Sequence, residues 1–422
     1  MNGWYNVRPF STKISRPLAA PARIRSSNMG ISVNIHRHLQ RLGTFLIGIT
    51  ATCALAEPII PAAPQLAATS YILMDAETGQ VLVAHNEHEQ MPPASLTKLM
   101  TSYIAEREIL EGRLELTDET LVSKKAWQMP GSRMFIEVGD LVTIEDLLRG
   151  VIIVSGNDAS VALAEHIAGT EDLFAQLMNK YAENLGMINT HFSNASGLPP
   201  ENGQEHYSSA YDLALLSQAL IYDNAEFYPL YAERSFKYGP VSAQPNRNRL
   251  LGTNPDVDGL KTGHTEEAGY CLAASAERDG MRLISVVMGT RSEDARAQET
   301  QKLLTYGFRF FRTAEVHQGG ESLHTMRIWG GATKELSLGL TDDLKLTIAR
   351  GAEDMIRTEL SIDSVIKAPV AAGDALGELI VYVDDKEVSR QPVVALKTVE
   401  QAGFFARIWD LILLFFTNLF SS

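Results

Sequence analysis

Pro92-Pro93-Ala94-Ser95-Leu96-Thr97-Lys98-Leu99-Met100 is the stretch on which the reading of this chain turns. Paired prolines end whatever precedes it. Leu96, Leu99, Met100, Tyr103 and Ile104 then recur at helical spacing, which predicts a buried helix with Ser95 in its first turn. Lys98 follows one turn on, so the two side chains share a face. The helix start favours negative charge beside the hydroxyl. A serine becomes a useful nucleophile only when a base is held against it, and a neutral lysine can be that base. Alone, such a pair is more often a solvated helix face. Its meaning comes from two further motifs, Ser155-Gly156-Asn157 and Lys261-Thr262-Gly263.

Working outward, the runs 71–75 and 80–84 read as strands joined by the turn Ala76-Glu77-Thr78-Gly79. A helix is expected to start near Thr143, with Glu145 and Asp146 in its first turn. Further helices are expected over 159–167, 173–185 and 208–222, with an Asn/Ser/Gly/Pro-rich loop over 189–204. Strands over 269–276 and 282–288 flank Asp279-Gly280, a hairpin turn signal. A last helix over 293–310 would close an α/β domain around a five-stranded sheet. From about residue 315 the texture changes to short alternating runs separated by turn signals, the pattern of a small all-β module, a sandwich.

Composition narrows the function. The 422 residues are 45% apolar and carry a net charge of −14. Residues 1–56 hold seven Lys/Arg and no Asp or Glu, so the body without them stands at −21, which argues against a nucleic-acid partner. Arg37 and Arg41 precede a short apolar run, and Ala54-Leu55-Ala56 offers a cleavage site, so 1–56 reads as an export signal. Cleavage there removes Cys53 and leaves Cys271, a small core residue in a strand-like run, without a disulfide partner. His85 and His88 lie in a polar loop with no supporting ligand cluster, so no metal and no cofactor are expected. Residues 401–422 are aromatic and apolar but interrupted by Arg407, Asp410, Thr417 and Asn418 on one side, which predicts an amphipathic helix lying on a membrane surface.

The three motifs, in this order, are specific. With Pro93-Ala94-Ser95-Leu96-Thr97-Lys98-Leu99-Met100-Thr101 and Val257-Asp258-Gly259-Leu260-Lys261-Thr262-Gly263-His264-Thr265, the chain resembles the low-molecular-mass penicillin-binding D-alanyl-D-alanine carboxypeptidases, peptidase family S11. The resemblance implies a β-lactamase/transpeptidase-like α/β fold, an antiparallel sheet with helices on both faces and a helical subdomain. It implies export signal 1–56, catalytic domain 57–314, β-rich domain 315–400 and anchor 401–422. The implied partners are peptidoglycan pentapeptides ending in D-Ala-D-Ala, β-lactams as inhibitors, and the periplasmic face of the inner membrane.

The expected roles follow residue by residue. Ser95 attacks, Lys98 takes its proton, and Ser155 relays the proton to the leaving nitrogen. Asn157 holds Lys98. Burial and a second cation, Lys261, are expected to lower the pKa of Lys98. Lys261 and Thr262 suit a C-terminal carboxylate. Gly263 lets substrate lie along the strand. The Ser95 and His264 backbone N–H groups form an oxyanion hole. Arg247 and Arg296 are implied to orient the site or bind carboxylate. One departure is visible in Asn194-Ala195-Ser196-Gly197-Leu198, where such relatives often carry histidine at the position of Ser196. A serine β-lactamase would share the three motifs but needs an acidic E-x-x-L-N loop, and none stands between Ser155 and Lys261.

Overall fold

Strand β1 (Ser70–Asp75) turns through 76–80 into β2 (Val81–His85), the hairpin expected from the sequence. The computed structural model describes residues 60–200 and 203–420, so the export signal expected over 1–56 lies outside the described residues. After the hairpin comes a short 3₁₀ turn, Ala94–Thr97, and only then helix α1 (Lys98–Leu110). Ser95 therefore sits in the tighter turn rather than in the first α-helical turn. Ala94 carries a left-handed φ of 47°, and the turn closes with a bond from Leu96 N–H to Pro93 O. The chain enters too sharply for an α-helical bond before Lys98.

A ribbon of β3 (Glu119–Leu121) and β4 (Leu141–Thr143) flanks the one-turn helix α2 (Lys124–Trp127). Next come α3 (Ile144–Ile152), α4 (Asn157–Ala168), α5 (Glu171–Asn184) and α6 (Ala210–Tyr222). Thr143 caps α3 by accepting the Asp146 N–H, and Ser209 caps α6 by accepting that of Asp212. A minor pair, β5 (Ser235–Phe236) and β6 (Gln244–Pro245), and the short α7 (Leu250–Thr253) lead to the long strands. These are β7 (Val257–Thr265), β8 (Gly269–Arg278) and β9 (Met281–Thr290), followed by α8 (Glu293–Phe310).

The sheet order is β2-β1-β9-β8-β7, antiparallel throughout, with β7 at an edge. Alternation along the strands splits the core. Ile72, Met74, Ile284 and Val286 face a cluster shared with α1, α3, α4, α5 and α6, while Tyr71, Leu73, Leu283 and Val287 face one shared with α8. Cys271 is buried in the first of these. The nucleophile turn thus lies between the helical side of the sheet and its edge strand, packed directly on β7.

Beyond α8 the chain is β-rich: β10 (Phe311–His317), β11 (Ser322–Trp329), β12 (Glu335–Gly339), β13 (Leu344–Ala349), β14 (Ile356–Ile362), β15 (Ile366–Lys367), β16 (Ala375–Val383) and β17 (Lys386–Ala395). Six of them order as β14-β16-β17-β12-β11-β15, and β10 pairs with β13. The boundary expected between 314 and 315 falls inside β10. The two parts are clipped together by the buried Asp75 carboxylate, which accepts from the hydroxyls of Thr313 at 2.6 Å and Thr347 at 2.7 Å. Helix α9 (Phe404–Phe420) ends the described chain and rests on β11.

Candidate active site

Lys98 is wholly buried, and its Nζ has three partners: Ser95 Oγ at 3.1 Å, Asn157 Oδ1 at 2.7 Å and the Ser196 carbonyl at 2.6 Å. The orientation of the Asn157 amide is fixed, because its Nδ2 donates to Pro130 O at 2.6 Å. Asn157 Oδ1 and the Ser196 carbonyl can only accept. A neutral lysine has two N–H bonds and one lone pair. With both N–H bonds spent on those acceptors, the lone pair is left for the Ser95 hydroxyl proton.

Burial is the main force holding the pKa of Lys98 down to about 7, with the Arg247 guanidinium second; Asp158 and Glu171 pull the other way. Arg247 is thus a cation at Lys98 that was not expected in that role, and Lys261, the expected one, repels Lys98 as well, since each charge acts on the other. Lys261 is itself buried and pushed well below its ordinary pKa by burial first, then by Lys98, Arg247 and Arg296.

A cleft of about 420 Å³ opens in front of this pair. Ser95, Ser155, Asn157, Thr262, Gly263, His264, Arg247 and Arg296 all border it, while Lys98 and Lys261 lie buried. So all ten residues singled out in the sequence converge. A larger open groove of about 1060 Å³ between Pro61 and α8 contains no nucleophile–base pair, and the chemistry belongs to the smaller cleft. Among the described residues no cluster of His, Cys, Asp or Glu is placed to hold a metal ion.

Each wall has a local cause. Ser155 occupies the turn between α3 and α4 with φ of 62°, a left-handed backbone costing about 1–2 kcal/mol for a side-chain-bearing residue. Its hydroxyl has no hydrogen-bond partner among the described residues. Asn157 follows at the start of α4. The opposite wall is β7. Arg296 donates to the Gly263 carbonyl at 3.3 Å and lies over the Tyr270 ring, while His264 stacks on the same ring at 3.9 Å. Arg247 is exposed and makes no hydrogen bond or ion pair with the described residues, so its charge faces the cleft unneutralised.

Gly263 also meets a constraint from the nucleophile turn. A Cβ there would meet Pro93 O at 3.0 Å, Ala94 Cβ at 3.3 Å and Leu96 N at 3.3 Å. The glycine lets β7 close onto the nucleophile turn, and the side on which a Cβ would stand points at Ala94.

Three features were not found from sequence. The Ser196 carbonyl is a main-chain group, for which residue identity gives no signal. Asp158, buried beside Asn157, accepts from the N–H groups of Met134 at 3.0 Å and Phe135 at 2.8 Å and so shapes the 130–136 rim. Its place next to Ser155-Gly156-Asn157 was the available clue. Glu171 accepts the Ala195 N–H at 3.0 Å across 24 residues, a contact no local pattern announces.

The peptidase S11 family profile, described as D-alanyl-D-alanine carboxypeptidase, matches residues 57–292, and that of the penicillin-binding protein 5 C-terminal domain matches residues 311–401. D-alanyl-D-alanine carboxypeptidase DacC of Escherichia coli strain K12 is 40% identical over 394 residues, 92% of this chain and 97% of its own length. DacA of the same strain, also a D-alanyl-D-alanine carboxypeptidase, is 41% identical over 370 residues, 86% of this chain and 91% of its own. The crystal structure of penicillin-binding protein 5 from Haemophilus influenzae superposes with a TM-score of 0.76 at 38% identity, covering 81% of this chain and 100% of that one. With a buried lysine against a serine at the mouth of its cleft and both halves of the chain matched, the protein belongs to peptidase family S11, the serine-type D-alanyl-D-alanine carboxypeptidases among the low-molecular-mass penicillin-binding proteins.

Proposed function

We propose that Ser95 is the nucleophile with which this carboxypeptidase removes the terminal D-Ala from peptidoglycan pentapeptide stems, and that Lys98 is its base. The observation that carries this reading is the lone pair of Lys98 left for Ser95 by its two other partners. Ser95 Oγ attacks the carbonyl carbon between the two D-alanines while its proton passes to Lys98 Nζ. The oxyanion collects at the Ser95 and His264 backbone N–H groups, both bordering the cleft. The C–N bond then breaks, and the proton travels from Lys98 through Ser155 Oγ to the departing amine. Water attacks the resulting ester and gives its proton to Lys98; the bond from the acyl carbon to Ser95 Oγ then breaks, and Lys98 passes the proton to Ser95 Oγ, restoring the free hydroxyl and the neutral amine.

Substrate lies antiparallel along the free edge of β7. Its terminal carboxylate meets Lys261, Thr262 and Arg247. Arg296, at the cleft wall, holds the strand through the Gly263 carbonyl. A β-lactam follows the same first step, but its ring nitrogen stays tethered after the C–N bond opens.

The enzyme works at the periplasmic face of the inner membrane, exported by residues 1–56 and held by α9. Phe405, Trp409, Phe415 and Phe416 of that helix are exposed together, while no described helix is long and apolar enough to cross a membrane. D-Ala release from a peptide ending in Lys-D-Ala-D-Ala by the full chain in detergent, abolished in Ser95→Ala, tests nucleophile and substrate terminus together. Release that survives in the variant overturns the assignment of Ser95.

A further inference from the structure

The loop that presents Ser196 to Lys98 is tied to the nucleophile turn by a histidine outside all three motifs. His206 lies where the two ends of the 189–208 loop are zipped together, His191 and Tyr207 exchanging backbone bonds at 2.9 and 3.0 Å. Its ring packs edge-on against Phe192. His206 Nδ1 is 3.0 Å from the Ser193 backbone N–H, which can only donate, so Nδ1 carries no proton. A neutral imidazole must then carry its proton on Nε2, and Nε2 lies 2.9 Å from Thr97 Oγ1. Thr97 is wholly buried and immediately precedes Lys98. The ring therefore accepts from the loop and donates to the turn.

We propose that His206 is a positioning residue for the acylation step, clamping the 193–197 segment onto Thr97 so that the Ser196 carbonyl stays on Lys98. The segment is stiff enough to transmit that hold. Asn194 Oδ1 accepts from the Ser196 N–H at 3.1 Å and the Gly197 N–H at 2.7 Å. It is also close to the turn: a Cβ on Gly197 would lie 1.8 Å from the Ala94 carbonyl oxygen and 2.7 Å from Thr97 Oγ1. Thr101 and Glu171 hold Ala195 from the far side, at 2.7 and 3.0 Å. His206 supplies the near-side anchor, one residue from the base. Burial, then the neighbouring charges of His191 and Lys98, keep its pKa down at about 4, so it stays neutral while Lys98 titrates near 7. It serves as a fixed clamp rather than a switch.

This proposal rests on Lys98 being the base. Its test is the single-turnover rate of Ser95 acylation by benzylpenicillin in the full chain, which does not depend on the fraction of active protein. His206→Ala is expected to slow acylation about tenfold, the order of one buried hydrogen bond, with the saturation constant for penicillin within about twofold of wild type. His206→Gln keeps a donor toward Thr97 and is expected to recover to within about threefold of wild type. Thr97→Val removes the acceptor of the same bond and should slow acylation as His206→Ala does. The double variant should be no slower than His206→Ala, which already removes the Thr97 contact together with the hold on Ser193. If His206→Ala does not fold, Thr97→Val and His206→Gln still decide. Wild-type acylation in His206→Ala or Thr97→Val overturns the clamp, as does Gln failing to rescue. Normal acylation in Lys98→Arg overturns the base assignment itself and the clamp with it, and only that outcome touches both.

Discussion

The 2.6 Å contact between Lys98 Nζ and the carbonyl oxygen of Ser196 is made to the main chain, so the base is oriented by a backbone group whose side chain points elsewhere. Ser196 Oγ donates to Asn194 Oδ1 at 3.2 Å, accepts from the Leu198 N–H at 3.3 Å and makes no hydrogen bond to Lys98. Ser196→Ala is therefore expected to acylate within about threefold of wild type, the scale of losing long local hydrogen bonds that do not touch the base. Lys98→Arg keeps a charge that cannot be shed, and acylation should fall by about a thousandfold or more, as when a general base is lost together with a nucleophile's activation. Penicillin labelling of Ser95 in both variants checks the pair of outcomes.

The pKa of Lys98 gives acylation a direction in pH. The active form is the neutral amine, so kcat/KM should rise with pH and level off above about 7. Below that, each pH unit should cost about tenfold. Arg247→Gln removes the cation that repels the ammonium form, so the pKa rises and the acid limb moves to higher pH. The variant loses most, relative to wild type, below neutrality. A limb that stays put or moves down would show that Arg247 does not act on Lys98. The pH profile of acylation, rather than the rate at one pH, makes the measurement.

Gly263→Ala tests how β7 is allowed to approach the nucleophile turn. The added methyl must push on Pro93 O at 3.0 Å and on Ala94 and Leu96 at 3.3 Å. Two of these three atoms belong to backbone, which gives way reluctantly. Overpacking of this kind costs about 1–3 kcal/mol. It should lower the melting temperature and slow acylation together, since the strand that carries substrate moves with the turn that carries Ser95. A variant that loses substrate binding with unchanged stability would return Gly263 to the expected role of making room for substrate.

What could be read from the chain and what could not divide along a physical line. Helical and strand periodicities report which side chains are buried, and Asp279-Gly280 reports a turn, so the sheet and the helix Glu293–Phe310 were readable. Spacing places Ser95 and Lys98 on one face, but it is blind to main-chain acceptors such as the Ser196 carbonyl and to charges that arrive from 149 residues away, as Arg247 does at Lys98. A glycine in a motif announces that a Cβ is forbidden without saying from which side. For Gly263 the neighbour came from the turn. The polar stripe of the last helix was readable as a stripe, but periodicity cannot tell a face turned to water from one turned to protein.

Glu106 offers a second titration, two turns beyond Lys98. It is buried with the Asn224 amide at 2.8 Å and the Tyr231 hydroxyl at 3.0 Å, and burial raises its carboxyl to about 8 against the pull of those two bonds. The folded state then holds a proton that the unfolded state releases near pH 4.5. The contribution of this group to stability should fall as pH rises from that value to about 8 and level off beyond. Glu106→Gln keeps the shape without the charge, so its melting temperature should lose this slope between pH 5 and 8. Parallel melting curves for the two proteins across that window would sink the assignment.

The last helix separates two properties that its sequence merges. Asp410 is 1% exposed and accepts from Lys334 at 2.7 Å, Arg327 at 3.0 Å and the Gly330 N–H at 3.0 Å, so it pins α9 to the end of β11. Its carboxyl is held below the usual range, chiefly by Lys334, so its contribution is present at neutral pH and fades only as pH falls through that depressed value. Removing it leaves two cations that are about half exposed and rehydrate readily, so Asp410→Ala should cost about 1–2 kcal/mol of docking rather than the larger price of a stranded buried charge. Backbone amides of α9 should then exchange faster with deuterium in solution. Membrane affinity should not follow, because Phe405, Trp409, Phe415 and Phe416 lie on the outer face, away from Asp410. Flotation with anionic and with neutral phospholipid vesicles should be unchanged in Asp410→Ala and reduced in Trp409→Glu. If Asp410→Ala abolishes flotation while its exchange stays slow, the buried carboxylate serves the membrane rather than the β-rich part, and the assignment of faces on this helix is reversed.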